Sequence, residues 1–131
     1  MTSTTPEEEE LARKIVDCAY RVHRGLGPGL LESIYETCFC HELQKRGVPY
    51  RRQLTVPLVY DGIVLSDCPR LDVLVKDLII CELKSVDSLD PIFMAQILTQ
   101  LKLARKRLGF LINFNVPAIK LGIRSVILSN L

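Results

Sequence analysis

The sequence predicts a single mixed α/β domain in which helices pack on a central sheet. Three observations predict it. The chain has 131 residues, enough for one domain with a real core and too few for two. Hydrophobic residues make up 48% and charged residues 24%, the balance of a globular chain and not of a disordered one. The hydrophobic period also changes along the chain, in the order helix, helix, a run of antiparallel strands, helix, strand, strand. The expected domain covers 1–131, with residues 1–5 as a disordered tail.

The first helix opens at Thr5-Pro6-Glu7-Glu8. Thr5 suits the cap, Pro6 the first turn and Glu8 a capping box. Leu11, Ile15, Cys18 and Val22 then form one apolar stripe, and the acidic run Glu7 to Glu10 suits the positive end of the helix dipole. The helix is expected to end near Arg24, before Gly25-Leu26-Gly27-Pro28-Gly29. That loop lacks the Lys-Ser/Thr of a P-loop and the spacing of a dinucleotide fingerprint, so it reads as a hinge. His23, just before it, suits a helix cap or a packed ring, with a site role as the sharper alternative. The second helix is expected from Leu30 to Arg46, stopped by Gly47. Leu31, Ile34, Cys38 and Phe39 give it an apolar side, and Glu32 and Tyr35 are neighbours on one face. The helix dipole alone accounts for a carboxylate at Glu32. His41 lies among polar residues and reads as exposed.

Tyr50 to Tyr60 alternates at Leu54, Val56, Leu58 and Tyr60 and reads as one strand, with Pro57 marking an edge or a bulge. Asp61-Gly62 is a hairpin turn, and Ile63 to Leu65 returns antiparallel. Arg70 to Lys84 reads as two strands joined at Lys76-Asp77. Leu78, Ile79, Ile80, Cys81 and Leu83 make the second nearly continuous in apolar residues, so it is covered on both faces. Glu82 and Lys84, two apart, share a face about 7 Å from each other. Asp72 lies on the partner strand, and the register decides whether it meets them. A strict two-residue turn sets Val75 opposite Leu78 and sends Asp72 away from Glu82. A three-residue loop, or one bulge, sets Asp72 opposite Glu82 with backbones about 5 Å apart. Facing carboxylates repel unless a cation lies between them. A surface Glu–Lys ion pair is the plainer reading, and the apolar flanks favour a site.

Asp90-Pro91 caps a third helix, expected to run to about Leu108 with Gly109 as its stop. Phe93, Gln96, Ile97, Gln100 and Leu103-Ala104 share its face, and Gln96 and Gln100 project together one turn apart. Lys102, Arg105, Lys106 and Arg107 crowd its C-terminal end, where the dipole favours them. Leu108 to Phe114 is a buried strand expected to run parallel to an earlier one, and Gly122 to Leu128 is an amphipathic last strand.

The net charge of +2 gives no global drive toward nucleic acid, so any basic footprint is local. The five cysteines, Cys18, Cys38, Cys40, Cys68 and Cys81, are odd in number. With an acidic, polar start and no secretory leader, they imply free thiols in the reducing cytoplasm. Cys38 and Cys40 do not have zinc-finger spacing and read as buried packing. No run of 18 apolar residues is present, so no membrane span is expected.

The stretch Gly29-Leu30-Leu31-Glu32-Ser33-Ile34-Tyr35 matches GxxExxY literally. Asp72, followed ten residues later by Glu82-Leu83-Lys84, resembles the D…ExK core of the PD-(D/E)XK nuclease superfamily. With RLDVLV, CELKSVD, AQILTQLK and GFLINFNV, the chain from about Leu11 to Leu128 resembles the GxxExxY protein family within that superfamily. The resemblance implies a nuclease-like mixed central sheet flanked by helices. It implies a site for Mg²⁺ or Mn²⁺ held by Asp72, Glu82 and the Leu83 carbonyl, with Lys84 serving the attacking water or the phosphate. Glu32 would be the acid of the superfamily's first motif, and Gln96 would match the glutamine that follows ExK in RecB-like members. His23, Tyr35, Gln100 and Lys102 are the candidates for contact with substrate. Two departures stand out: Leu71 replaces the proline of the superfamily's name, and Gln100 replaces the aromatic of QxxxY, which puts the substrate side of this helix in question. The implied activity is metal-dependent hydrolysis of phosphodiester bonds in nucleic acid, DNA ahead of RNA, by a homo-oligomer. The alternative is a catalytically silent nuclease fold that binds nucleic acid or self-assembles.

Overall fold

The computed structural model describes residues 4–129. Residues 1–3 of the expected tail lie outside the described residues, whereas Thr4 and Thr5 are tied to the first helix. Thr4 donates to Glu9 Oε1 at 2.9 Å, and Thr5 and Glu8 form a reciprocal capping box at 2.8 and 3.1 Å. Helix α1 (Pro6–Leu26) runs slightly past the expected end to Gly27, whose φ of 71° favours glycine. Its capping residue Glu8 is buried and takes a forked pair of bonds from Arg107 at 2.7 and 3.2 Å. The bond to Arg107 holds the Glu8 carboxyl below its ordinary range. Helix α2 (Glu32–Lys45) stops before Gly47, at φ 69°.

The hinge between the helices is a closed structure. Tyr35 is fully buried and stacks on Phe114 at 4.6 Å between ring centroids. Its hydroxyl donates to Gly27 O at 2.6 Å and accepts from Leu30 N at 3.1 Å. One phenol thus satisfies the loop backbone on both sides of Pro28-Gly29, and Gly29 supplies the positive φ of 95° that the turn requires. The glycine, the tyrosine and their spacing are one folding unit.

Five strands form the main sheet in the order β1-β4-β5-β6-β7: Tyr50–Thr55, Arg70–Val75, Ile79–Lys84, Leu108–Asn113 and Ile123–Ile127. All neighbours are antiparallel except β5 and β6, which run parallel across the connection through α3 (Pro91–Ala104). Helices α1 and α2 cover one face over Val73, Val75, Ile79, Cys81, Leu83 and Phe114. Helix α3 covers the other over Leu71, Leu74, Ile80, Leu111 and Val126, with Ile97 and Leu101 as its buried residues. A single 3-10 turn at Ile119–Leu121 precedes β7.

Two sequence expectations are corrected. The strand expected over Tyr50 to Tyr60 breaks after Thr55. Pro57 cannot donate to a ladder, and the chain leaves the sheet where Val56 N bonds Pro69 O at 2.9 Å. Val59–Tyr60 (β2) and Ile63–Val64 (β3) form a separate two-stranded hairpin with Val59, Tyr60, Ile63 and Val64 exposed. Gly109 is not a helix stop. Helix α3 ends at Arg105, which takes the left-handed conformation, and Gly109 lies within β6. A Cβ at Gly109 would stand 3.0 Å from Ile97 Cδ1 and 3.2 Å from Ile80 O, so the missing side chain lets α3 approach the sheet closely. Among the described residues no helix is long and apolar enough to cross a membrane.

Removing the Tyr35 hydroxyl leaves a part-buried carbonyl and a part-buried amide without this partner while keeping the ring stack. Tyr35→Phe is therefore expected to cost about 1–3 kcal/mol, read as a lower urea midpoint with an unchanged slope.

Candidate functional site

The turn between β4 and β5 fixes the register. Lys76 and Asp77 both have positive φ, and Leu78 N bonds Val75 O at 2.9 Å. Val75 then pairs with Ile79, Leu74 with Ile80 and Val73 with Cys81, so Leu78 is the extra residue that brings Asp72 level with Glu82. The backbone ladder stops after Val73–Cys81, at the point where the acids begin. Each carboxylate takes over one bond across the gap. Glu82 Oε1 accepts from Asp72 N at 3.0 Å, and Asp72 Oδ2 accepts from Leu83 N at 2.9 Å.

Glu82 is shielded from water, with only 7% of its surface exposed, and Asp72 is half-buried. Burial pushes the Glu82 carboxyl up to about 8, and the neighbouring Asp72 charge adds to this; the Asp72 amide, Lys84 and Gln100 act in the opposite direction. Burial likewise raises Asp72, opposed by the Leu83 amide and by Lys84 and reinforced by the charges of Glu36 and Glu32. The Lys84 ammonium makes no ion pair with Glu82 and rests 4.7 Å from the centre of the Phe93 ring on α3. Cys81 packs on the other side of the sheet, and burial pushes its thiol well above the ordinary range, which removes it as a nucleophile.

The expected single pocket is two openings. A cavity of about 480 Å³ under α3 is lined by Arg70, Glu82, Lys84, Gln96, Thr99 and Gln100. A second, of about 320 Å³ under α2, is lined by Glu32, Ser33, Glu36, Gln53, Asp72 and Leu83. The register is the one that brings the acids together, so the division has another cause. Pairs Arg52–Val73 and Leu54–Leu71 skip Gln53 and Asp72, and Gln53 has φ 51°. Alternation breaks there: Tyr50 and Val73 face α1 and α2, whereas Leu54 and Leu71 face α3. Asp72 is turned toward α2 by this kink, while Glu82 keeps the parity of β5 and faces α3. The carboxylate–amide bonds join residues that line the two openings.

The remaining candidates separate accordingly. Glu32 joins Asp72 on the α2 side, and Gln96 joins Glu82 and Lys84 on the α3 side, so the two do not share one pocket. Gln100 lines the cavity beside Glu82 and favours its charged form, while its own Oε1 is buried without a partner. Lys102 is exposed on α3 and lines neither cavity. His23 and Tyr35 are not at the edge of either: His23 Nε2 bonds Val116 O at 2.7 Å, and Tyr35 holds the glycine loop. Sequence reasoning missed Glu36, one turn after Glu32 on the same helix face, a spacing that could have found it. It is buried, pairs with Arg52 at 3.0 Å and accepts from Gln53 Nε2 at 2.8 Å. Gln53 and Arg70 carry no recognisable signal in the sequence.

The donor set suits a hard divalent cation: two close carboxylates, the Leu83 carbonyl and a side-chain amide oxygen without a partner. Among the described residues no three His, Cys, Asp or Glu side chains are grouped to hold a metal, so an ion here would rest on two acids and neutral oxygens.

Comparison with known families places the chain. The model of the PD-(D/E)XK nuclease superfamily matches residues 9–126, and the chain belongs to that superfamily. Neither the curated proteins nor the solved structures gave a match.

The raised carboxyl fixes the sign of one pH effect. Between its ordinary 4.5 and about 8, Glu82 keeps its proton when folded and loses it when unfolded, so stability falls as pH rises through that window. In metal-free buffer, Glu82→Gln is expected to gain on wild type in urea midpoint between pH 5 and pH 8.

Proposed function

We propose that this chain is a metal-dependent nuclease of the GxxExxY type that hydrolyses phosphodiester bonds in nucleic acid, DNA ahead of RNA. The observation that carries the reading is the pair of a buried Glu82 and a half-buried Asp72, adjacent and each fixed by the other strand's amide. Such a pair is destabilising in isolation, and membership of the superfamily supplies the reason to keep it. Asp72, Glu82 and the Leu83 carbonyl would hold Mg²⁺ or Mn²⁺. When bound, the ion would lower the pKa of a water and stabilise charge on a phosphoryl oxygen.

The other residues act around this centre. Lys84 carries its side-chain nitrogen to the α3 mouth, placed to position the attacking water or meet developing phosphate charge, with Phe93 as its resting platform. Gln96, exposed at the same mouth, orients substrate by hydrogen bonding. Glu32 sits beside Asp72 and steers water or charge on the α2 side. Arg70, beside Glu82 and Lys84, offers a phosphate contact. A homo-oligomer fits the small size of the body and its exposed hairpin, and five free thiols fit a cytoplasmic setting.

One observation favours the silent alternative, a nucleic-acid-binding or assembly module: the two acids open to different sides of the sheet. Metal binding decides. Wild type is expected to melt higher with millimolar Mg²⁺ or Mn²⁺, more so at pH 8 than at pH 5 because protons compete for the same oxygens. Asp72→Asn should abolish that gain and keep the fold.

Hydrolysis is the second test. Linear, circular and single-stranded DNA and RNA are incubated with each metal; wild type should cut, and Lys84→Ala should bind metal yet lose cutting by at least about 100-fold. Wild type and both variants melting alike with and without metal, with none of the substrates cut, would leave the module reading standing.

A further inference from the structure

The position that departs most from the resemblance has the least satisfied atom. Gln100 stands where an aromatic is expected, in the middle of α3 and one turn after Gln96. Its Oε1 is the one buried side-chain nitrogen or oxygen among the described residues that lacks a hydrogen-bond partner. A buried acceptor left unpaired is costly, and this one belongs to a side chain that lines the cavity of Glu82 and Lys84. Packing cannot explain the choice, since leucine or methionine would fill the same volume without an orphan atom.

The setting of the side chain points to a use. Gln100 lines the same cavity as Glu82 and favours the charged form of its carboxylate, against burial. The amide oxygen is buried without a donor to accept from, in a side chain that lines the cavity of Glu82. Neutral amide oxygens are ordinary ligands of hard cations. The set it would complete is short of charge and of donors, because Asp72 is turned toward α2 and only two acids are available.

We propose that Gln100 is a third side-chain ligand of the divalent cation, its Oε1 completing the site that Asp72 and Glu82 begin. This rests on the metal-dependent reading above. The glutamine that replaces the aromatic then exchanges a stacking surface for an oxygen donor.

The test is calorimetric titration of Mn²⁺ into the whole chain, with metal-free melting as control. Wild type is compared with Gln100→Met, an unbranched apolar replacement, and Gln100→Glu, which restores an oxygen. The expected results are Mn²⁺ affinity about tenfold or more lower for Gln100→Met, near or above wild type for Gln100→Glu, and a metal-free melting temperature for Gln100→Met equal to or above wild type. Wild type that binds no Mn²⁺ at millimolar concentration overturns the metal reading itself. Wild type that binds while Gln100→Met binds equally well overturns only the ligand role. A Gln100→Met that melts lower without metal, or fails to fold, assigns the residue to structure, and the ligand role then stands only if folded Gln100→Glu binds at least as well as wild type and Gln100→Leu, the second apolar variant, binds more weakly.

Discussion

The structure turns on the exchange of amides and carboxylates where β4 leaves β5. A sheet that splits must leave backbone donors without partners, and burial makes each of them costly. Here Asp72 N and Leu83 N are claimed by Glu82 and Asp72. The acids therefore close the seam in the sheet, besides being the residues proposed to hold the metal.

The elements on either side give this seam two different surroundings. On the α2 side, Asp72 has Glu32 and Glu36 for neighbours, and Arg52 and Gln53 tether Glu36. On the α3 side, Glu82 has two glutamines, a threonine and the Lys84 ammonium. Two remote contacts set how close each helix stands. Tyr35 pins the start of α2 through the glycine loop, and Gly109 lets Ile97 press α3 against β6. Distances at the site are thus fixed by residues that touch none of its groups.

Much of this was legible in the chain. The capping box, the hairpin at Asp61-Gly62, the buried run of β5 and the parallel return of β6 follow from local pattern, because the relevant interactions lie within a turn or a strand. The register of β4 on β5 followed from the length of one turn, as one of two alternatives. What sequence period could not supply was the backbone state of Gln53. A glutamine at positive φ has no local signal, and it reverses the facing of Asp72 on the neighbouring strand. For the same reason His23 and Tyr35 were misplaced: polar groups near a motif can satisfy distant carbonyls, and those partners, Val116 O and Gly27 O, are visible only after folding. Gly109 was misread because a glycine after a helix and a glycine beneath one look alike in sequence.

The turn at Lys76-Asp77-Leu78 lies at the far end of β4 and β5 from the acids, on the surface, where chains usually gain and lose residues freely. In this protein it cannot. A strand repeats every two residues, so removing Leu78 would slide Glu82 by one position against β4 and turn its carboxylate away from Asp72 N. Lineages carrying this seam should therefore vary the composition of that loop and hold its length constant, a conservation of spacing with no conserved side chain behind it.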